Sequence, residues 1–127
     1  MTGLLDTHTF VWWADNSPKL FPTAGTFIRD PANTVLLSVA SIWEVVIKHK
    51  LGKLPLSQPL GAILSRLPAA GITVLPVQID HALAVDRLPD PHRDPFDQML
   101  VAQAIVEGAV LLTVDPIFQQ YPVTVVW

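Results

Sequence analysis

Residues 34–54, TVLLSVASIWEVVIKHKLGKL, contain a predicted strand that leads directly into a predicted helix. The segment 34–39 is short, apolar and partly β-branched, which is typical of a buried strand. After it, apolar residues recur with the spacing of one helix face, at Ile42, Val46, Ile47 and Leu51. Gly52 is suited to end this helix, because glycine readily adopts the left-handed conformation needed there. A strand followed directly by a helix is the repeating unit of an α/β fold.

The same alternation continues along the rest of the chain. Further strands are predicted at 3–6, 72–77, 109–115 and 123–127. Helical segments are predicted at 7–15, 19–30, 59–71, 78–88 and 96–108, with a single turn at 116–121. Because the strands are apolar runs separated by helices, we expect a parallel sheet covered on both faces.

Length and composition indicate one domain, spanning residues 1–127. The chain is 50% hydrophobic with a mean hydropathy of +0.42, which suggests a thick core or a covered face. Its longest apolar stretch is interrupted by Glu44 and is shorter than the ~18 residues of a membrane helix. The start, MTGLLDTH, lacks the basic region of a secretory signal, and the sequence has no cysteine. We therefore expect a cytoplasmic protein.

The net charge of −3 argues against binding nucleic acid through a broad basic surface. It does not exclude an enzyme that acts on nucleic acid through metal ions, because the metals would supply the positive charge.

Parallel α/β sheets bind their ligands outside the carboxyl ends of the strands, and acidic residues recur at these positions in the sequence. Asp6 and Asp115 each end a predicted strand and precede a helix. Glu44 and Asp97 lie near the starts of predicted helices. We expect these carboxylates, which come from distant segments, to meet at one edge of the sheet.

Each acid also has a purely structural interpretation. Asp6 and Asp115 could be helix N-caps, and Asp94 is better explained as a cap or a supporting residue than as a metal ligand. Residues 41–44 match a capping box, but the strand is predicted to end near residue 39, which would place Glu44 deeper in the helix. Its charge then needs a partner, and either Lys48 or a metal could serve.

Asp97 is not needed as a cap if Asp94 already is one. Near the other acids it would experience repulsion of about 4 kcal/mol per close pair, which a divalent cation would offset. An all-oxygen ligand set suits Mg²⁺ or Mn²⁺. Phosphodiester hydrolysis is the chemistry that such a site serves, and it requires no protein nucleophile.

Other polar and aromatic residues carry weaker signals. His8 and His92 are more plausible as hydrogen-bonding or substrate-contacting residues than as metal ligands. Thr7 and Thr113 could orient acids or metal-bound water. His49 and His81 are predicted to face solvent. The large aromatic residues are expected mostly in the core, with some lining a groove for a partner helix: Phe10, Trp12, Trp13 and Trp43.

Four ordered motifs together resemble the PIN-domain ribonucleases, and within them the VapC-type toxins of bacterial toxin–antitoxin pairs. The motifs are LLDTHTFVWW, SVASIWEVVIKHKLGKL, LPDPHRDPFDQMLVAQA and LLTVDPIF, and they cover nearly the whole chain. The resemblance implies a three-layer α/β/α PIN-like domain with a central, mainly parallel sheet of four to five strands. It also implies endonucleolytic RNA cleavage at an acidic site that binds Mg²⁺ or Mn²⁺.

The resemblance assigns roles by position. It implies Asp6, Glu44 and Asp97 as core metal-binding and catalytic acids, and Asp115 as a fourth. The supporting residues would be Thr7, Asp94 and Thr113, and possible RNA contacts are His8, Lys48, His92, Arg93 and Gln98. Gln98 departs from the subgroup, which usually has arginine there. Members commonly form homodimers and are silenced by an antitoxin whose C-terminal segment lies in an apolar groove and can place a basic side chain in the acidic site.

Three other classes of protein can be compared with the sequence. A receiver-type phosphoacceptor domain should carry an acidic pair near the first strand and a lysine after a late strand, which this chain lacks. A haloacid-dehalogenase phosphatase needs Asp-x-Asp where this chain has Asp6-Thr7-His8. A catalytically weakened PIN relative that only binds RNA or protein is opposed by the intact acids and favoured by Gln98.

Overall fold

A computed structural model of the chain describes residues 1–20, 22–89 and 94–127. His92 and Arg93, two of the predicted RNA contacts, lie outside these ranges. Within them, no helix is both long and apolar enough to cross a membrane.

In the described part of the chain, five parallel strands form the central sheet. They are β1 (Thr2–Leu5), β2 (Thr34–Ser38), β3 (Ile72–Leu75), β4 (Val110–Leu112) and β5 (Val125–Val126). Their order in the sheet is β3-β2-β1-β4-β5, so the first strand is central. Leu5 pairs with Leu37 on one side and with Leu112 on the other. This register places the carboxyl ends of β1, β2 and β4 side by side.

Helices cover both faces of this sheet. They are α1 (Thr7–Ala14), α2 (Pro22–Arg29), α3 (Val39–Lys50), α4 (Leu60–Leu64), α5 (Ile79–Val85) and α6 (Pro95–Glu107). Short 3₁₀ turns occur at Pro68–Ala70 and Pro116–Gln120. The predicted α/β/α architecture with a parallel sheet is therefore confirmed.

Alternate strand residues supply two separate cores, as the two-residue period of a strand requires. Leu5, Leu37 and Leu112 pack against α1, α2 and α4 on one face. Leu4, Leu36 and Leu111 pack on the other face, against α6 and the turn that follows β4. The thick core expected from the composition is thus divided between two layers.

Several predicted boundaries were wrong. The strand predicted at 109–115 ends at Leu112, so Thr113 and Asp115 lie in the connection beyond it. The helix predicted at 59–71 is interrupted, with α4 ending at Leu64 and a 3₁₀ turn beginning at Pro68. Pro68 explains the break, because proline has no N–H to donate and disfavours a helical conformation in the preceding residue.

One prediction of exposure was also wrong. His81 is fully buried between α5 and α6, because its ring nitrogens find polar partners there, whereas His49 is exposed as expected. Trp43 is 61% exposed on the outer face of α3 and lines an apolar groove, the second location expected for the large aromatic residues. Phe10 is buried as expected, and Trp12 and Trp13 are half-buried.

Candidate metal and active site

The four acids predicted to converge line one small pocket at the carboxyl edge of the sheet. The pocket has a volume of about 100 Å³. The side chains that line it are Asp6, Thr7, His8, Glu44, Lys48, Asp94, Asp97, Asp115 and Phe118. Segments far apart in the sequence thus supply one acidic site.

Asp6 is fixed at the centre of this site by the end of β1 and the start of α1. Its backbone N–H donates to the Leu112 carbonyl at 3.2 Å, which continues the pairing of β1 with β4. Its Oδ1 accepts from the Thr9 N–H at 2.7 Å and caps α1. Its Oδ2 accepts from the Thr113 hydroxyl. The buried carboxylate is therefore held on both oxygens.

Glu44 lies in the second turn of α3 and is buried despite its charge. The Thr7 hydroxyl donates to its Oε1 at 2.5 Å. The Lys48 ammonium lies 2.6 Å from its Oε2, one helical turn further along α3. Lys48, which the sequence offered as one possible partner of Glu44, therefore pairs with it. Hydrogen bonding to Glu44 is the main reason that the pKa of Lys48 is raised.

Asp94 and Asp97 have different functions at the start of α6. Asp94 is the N-cap, as expected, and its Oδ1 accepts from the N–H groups of Phe96 at 2.9 Å and Asp97 at 3.2 Å. The Asp97 carboxylate instead faces the pocket. Burial is the main reason that the pKa of Asp97 is raised to about 7, and the negative charges of the other four acids contribute to the same rise. The site therefore holds more negative charge than its described surroundings neutralise.

Asp115 is joined to this group through Thr113. The Asp115 N–H donates to Thr113 Oγ1 at 3.1 Å, and the same hydroxyl donates to Asp6. Asp115 Oδ1 also accepts from the Ile117 N–H at 3.0 Å and caps the turn that follows. Asp6 and Asp115 are thus both helix caps and pocket-lining acids, so the two interpretations of each residue are compatible.

The capping box considered at residues 41–44 does not form. Ser38 is the N-cap of α3, and its hydroxyl accepts from the Ala40 N–H at 3.0 Å. Ser41 lies inside the helix and is buried. This confirms that Glu44 is too far along the helix to act in a cap.

Of the predicted RNA contacts that the structure describes, two line the pocket and one does not. His8 and Lys48 line the pocket. Gln98 is half-buried and follows Asp97 in the first turn of α6. Thr9 and Phe118 were not singled out from the sequence. Thr9 holds the Asp6 carboxylate, and its position three residues after that acid is the signal that could have identified it.

The ligand chemistry of this site fits a hard divalent cation. All its carboxylates are oxygen donors, which Mg²⁺ and Mn²⁺ prefer. Among the described residues, however, no three histidine, aspartate or glutamate side chains are already grouped as a ready metal-ligand set. The contacts give a reason, because Asp6 is held by threonines and Glu44 is paired with Lys48.

An apolar groove lies beside the acidic pocket, between the first turns of α3 and α6. It has a volume of about 460 Å³ and is lined by Val39, Ala40, Trp43, Val77, Pro95, Phe96 and Met99. The Trp43 ring meets the Phe96 ring edge to face, with centroids 5.3 Å apart. Asp97 is adjacent to Phe96, and Glu44 is adjacent to Trp43, so the groove and the pocket share two helices.

The parallel sheet and the acidic pocket at its carboxyl edge together define an α/β domain with a carboxylate site. The family model of the PIN domain matches residues 3–123, and the chain belongs to this family. Ribonuclease VapC16 from Mycobacterium tuberculosis is 38% identical to it over 61 residues, which are 47% of this chain and 42% of that relative. The match thus spans less than half of the relative's length.

Solved structures share the fold. VapBC2 from Rickettsia felis, bound to a promoter DNA fragment, aligns with a TM-score of 0.70 at 17% identity, over 99% of this chain and 98% of that one. VapBC-1 from nontypeable Haemophilus influenzae aligns with a TM-score of 0.65 at 22% identity, over 94% of this chain and 92% of the other. A toxin–antitoxin complex from Klebsiella pneumoniae aligns with a TM-score of 0.59 at 16% identity, over 98% and 96%.

Proposed function

We propose that this PIN-domain protein is a Mg²⁺- or Mn²⁺-dependent endoribonuclease and the toxin of a type II toxin–antitoxin pair. The observation that carries the proposal is the convergence of Asp6, Glu44, Asp97 and Asp115 on one pocket. Similarity to Ribonuclease VapC16 supports the reaction, and structural similarity to two VapBC proteins and to a toxin–antitoxin complex supports the biological context.

Asp6, Glu44, Asp97 and Asp115 would hold the divalent ion or ions. A bound ion would lower the pKa of an attacking water and neutralise charge on the RNA phosphate. The high pKa of Asp97 supports its assignment as a ligand, because a carboxylate surrounded by like charges gains most from a nearby cation.

The supporting residues would fix the positions of these acids. Thr7 holds one oxygen of Glu44, and Thr113 connects Asp6 with Asp115. Asp94 keeps the first turn of α6 in place, so that the Asp97 carboxylate faces the pocket. These contacts favour an arrangement of charges that is fixed before substrate binds, which is how electrostatic catalysis is most effective.

The substitution Asp6→Asn tests this activity. Asparagine can still cap α1 but carries no negative charge, so the fold should persist while metal affinity falls. We expect wild-type protein to cleave a random-sequence, single-stranded oligoribonucleotide pool with Mn²⁺ and to lose activity with EDTA. Asp6→Asn should reduce cleavage at least about a hundred-fold, a typical loss for one electrostatic contact in a catalytic site.

Asp30→Asn is the matched control, because Asp30 is exposed and lies in the turn after α2. It should cleave like the wild type. If wild-type protein binds the pool but does not cleave it with Mg²⁺ or Mn²⁺, the chain is instead the weakened binding module considered above. If Asp6→Asn cleaves as fast as wild type, the metal site is wrongly assigned.

We further propose that an antitoxin segment occupies the apolar groove. The groove presents Trp43, Phe96 and Met99 to an apolar helix or strand, and the acids beside it would attract a basic side chain on the same segment. A lysine or arginine there would compete with the metal and block the site. Homodimer formation and a cytoplasmic location are further parts of this proposal.

A further inference from the structure

We propose that His8, Trp12 and Trp127 form a stacking surface for the bases of single-stranded RNA next to the acidic pocket. The inference rests on the ribonuclease function proposed above and identifies residues that would position its substrate. It is carried by a row of aromatic rings that begins at the pocket wall and runs away from the acids.

The row begins on α1. His8 and Trp12 are one helical turn apart, and their ring centroids are separated by 6.2 Å. His8 is exposed and lines the acidic pocket, so the row starts beside the carboxylates. Trp127 follows β5 and meets Trp12 edge to face, with centroids 5.6 Å apart. Since β5 is parallel to β4, Trp127 lies at the same edge of the sheet as the acids.

Core packing does not account for Trp12. Its neighbour Trp13 packs against the first core cluster and stacks on Phe10 with centroids 6.3 Å apart. Within the described ranges, Trp12 and Trp127 pack against neither core cluster. Both are half-buried, so part of each ring remains accessible at the surface.

A cation accompanies the rings. The Lys19 ammonium lies 5.9 Å from the centre of the Trp12 ring, and the Lys19 side chain is exposed. Proteins that bind single-stranded nucleic acid combine aromatic side chains for the bases with cations for the backbone. The protein has a net charge of −3 and the pocket itself is acidic, so the protein surface attracts RNA phosphates weakly. Stacking on aromatic rings with a lysine nearby would therefore be an important source of RNA affinity.

The test compares Trp12→Leu with Trp13→Leu, which change neighbouring half-buried tryptophans of the same helix. Cleavage sites are first mapped by sequencing product ends from the random oligoribonucleotide pool with Mn²⁺. A short oligoribonucleotide containing one mapped site then serves for steady-state kinetics. Trp12→Leu should raise KM between about five-fold and a hundred-fold with kcat nearly unchanged, as expected for the loss of one base stack.

Trp13→Leu should leave KM unchanged, although it should lower the melting temperature through lost core packing. A second experiment uses two abasic substrates, each lacking the base of one of the two nucleotides that flank the cleaved bond. One of these abasic substrates should raise KM for the wild type but cause no additional rise for Trp12→Leu, because both changes remove the same contact.

The outcomes separate the two proposals. If wild-type protein cleaves and Trp12→Leu has the KM of Trp13→Leu, the stacking surface is refuted and the ribonuclease function stands. If the abasic and Trp12→Leu effects multiply instead of coinciding, the stacked base is not the contact that Trp12 makes. If wild-type protein cleaves no RNA with either metal, the proposed function fails, and this inference fails with it.

Discussion

The Asp97 carboxylate faces the acidic pocket, among the other acids of the site. Asp94, one turn earlier, neutralises part of its own charge by accepting two backbone N–H groups at the start of α6. Asp97 lies among the remaining acids, and its pKa rises to about 7. Two carboxylates so close together are thus distinguished by their surroundings, one capping the helix and the other facing the pocket.

In metal-free protein, we expect Asp97 to make stability depend on pH. Because its pKa is higher in the folded state than in the unfolded state, the folded state binds the proton more tightly. This contribution to stability is fully present below about pH 4 and is lost as pH rises through about 7. Asp97→Asn should therefore raise the free energy of unfolding at pH 8 by about 1–2 kcal/mol, allowing for solvent screening.

Urea unfolding in EDTA at pH 4 and pH 8 measures this effect. Asp86→Asn, at the exposed end of α5, is the control and should change stability little at either pH. An Asp97→Asn variant that is no more stable than wild type at pH 8 would contradict the conclusion that burial and the neighbouring acids raise the pKa of Asp97.

Lys48 occupies a position that a divalent ion would also favour, against an oxygen of Glu44. Lys48→Met should lower the metal-free free energy of unfolding by about 1–2 kcal/mol, because a buried carboxylate loses its cation. The same change should increase the stabilisation by Mn²⁺, since the ion no longer competes with the ammonium group. Thermal unfolding with and without Mn²⁺ measures both effects.

Lys50→Met provides the comparison, because Lys50 is exposed on the last turn of the same helix. It should leave both the metal-free stability and the effect of Mn²⁺ close to those of wild type. Equal responses from the two variants would mean that Lys48 does not compete with the metal.

At the residue scale, the sequence was sufficient to predict which acids share a pocket. Asp6 follows a strand and Glu44 lies just beyond the start of a helix, and the topology of a parallel sheet brings such positions together. The partner of Glu44 could not be decided, because the i+4 spacing of Lys48 and a metal explain a buried acid equally well. The described structure shows that Lys48 reaches the Glu44 carboxylate.

At the scale of elements, α5 is attached to α6 through a buried polar contact. The Gln78 N–H donates to His81 Nδ1 at 3.0 Å, so the other ring nitrogen carries the proton and donates to Glu107 Oε2 at 2.9 Å. Gln103 is also fully buried here, and its amide nitrogen donates to the Pro76 carbonyl at 3.3 Å. The two helices are therefore aligned by directional bonds as well as by apolar packing.

His81→Ala should consequently destabilise the protein by about 2–4 kcal/mol, through the cavity it leaves and the loss of both hydrogen bonds. His49→Ala removes an exposed histidine and should change stability by less than about 0.5 kcal/mol. Urea denaturation of both variants checks the difference. A His81→Ala protein as stable as His49→Ala would show that the contact does not hold α5 in place.

Sequence patterns predicted the order of helices and strands better than the burial of individual faces. The short helix predicted at 78–88 carries the charged residues Asp80, Asp86 and Arg87 near His81, so a solvent-facing histidine was the natural expectation. Its burial depends on Glu107 and Gln103, which come from another helix and which no local pattern brings to it. Similarly, Thr113 lies just beyond the end of β4 and donates its hydroxyl to Asp6, a residue 107 positions earlier that no local pattern brings to it.

At the scale of the whole molecule, the apolar groove and the acidic pocket are both lined by residues of α3 and α6. If an antitoxin segment binds there, Trp43→Glu should prevent neutralisation, because it places a charge in the centre of the apolar contact. The assay is growth of cells that express the chain with or without the proposed antitoxin. The antitoxin should rescue cells that express wild type but not cells that express Trp43→Glu.

Leu51→Glu is the matched control, because Leu51 follows α3 and is 62% exposed, close to the 61% of Trp43. It should be rescued as well as wild type. Rescue of both variants would exclude the groove as the antitoxin site. Loss of toxicity by Trp43→Glu alone, with no change in its fold, would instead connect Trp43 with cleavage itself.

The hydrogen bond between Thr113 and Asp6 joins residues separated by 107 positions in the chain. During synthesis, Asp6 leaves the ribosome long before β4, and it cannot accept a hydrogen bond from the Thr113 hydroxyl until β4 pairs with β1. A nascent chain therefore has no assembled acidic site. If the site cleaves RNA as proposed, a nascent chain shorter than the segment through Asp115 would leave intact the message from which it is being read.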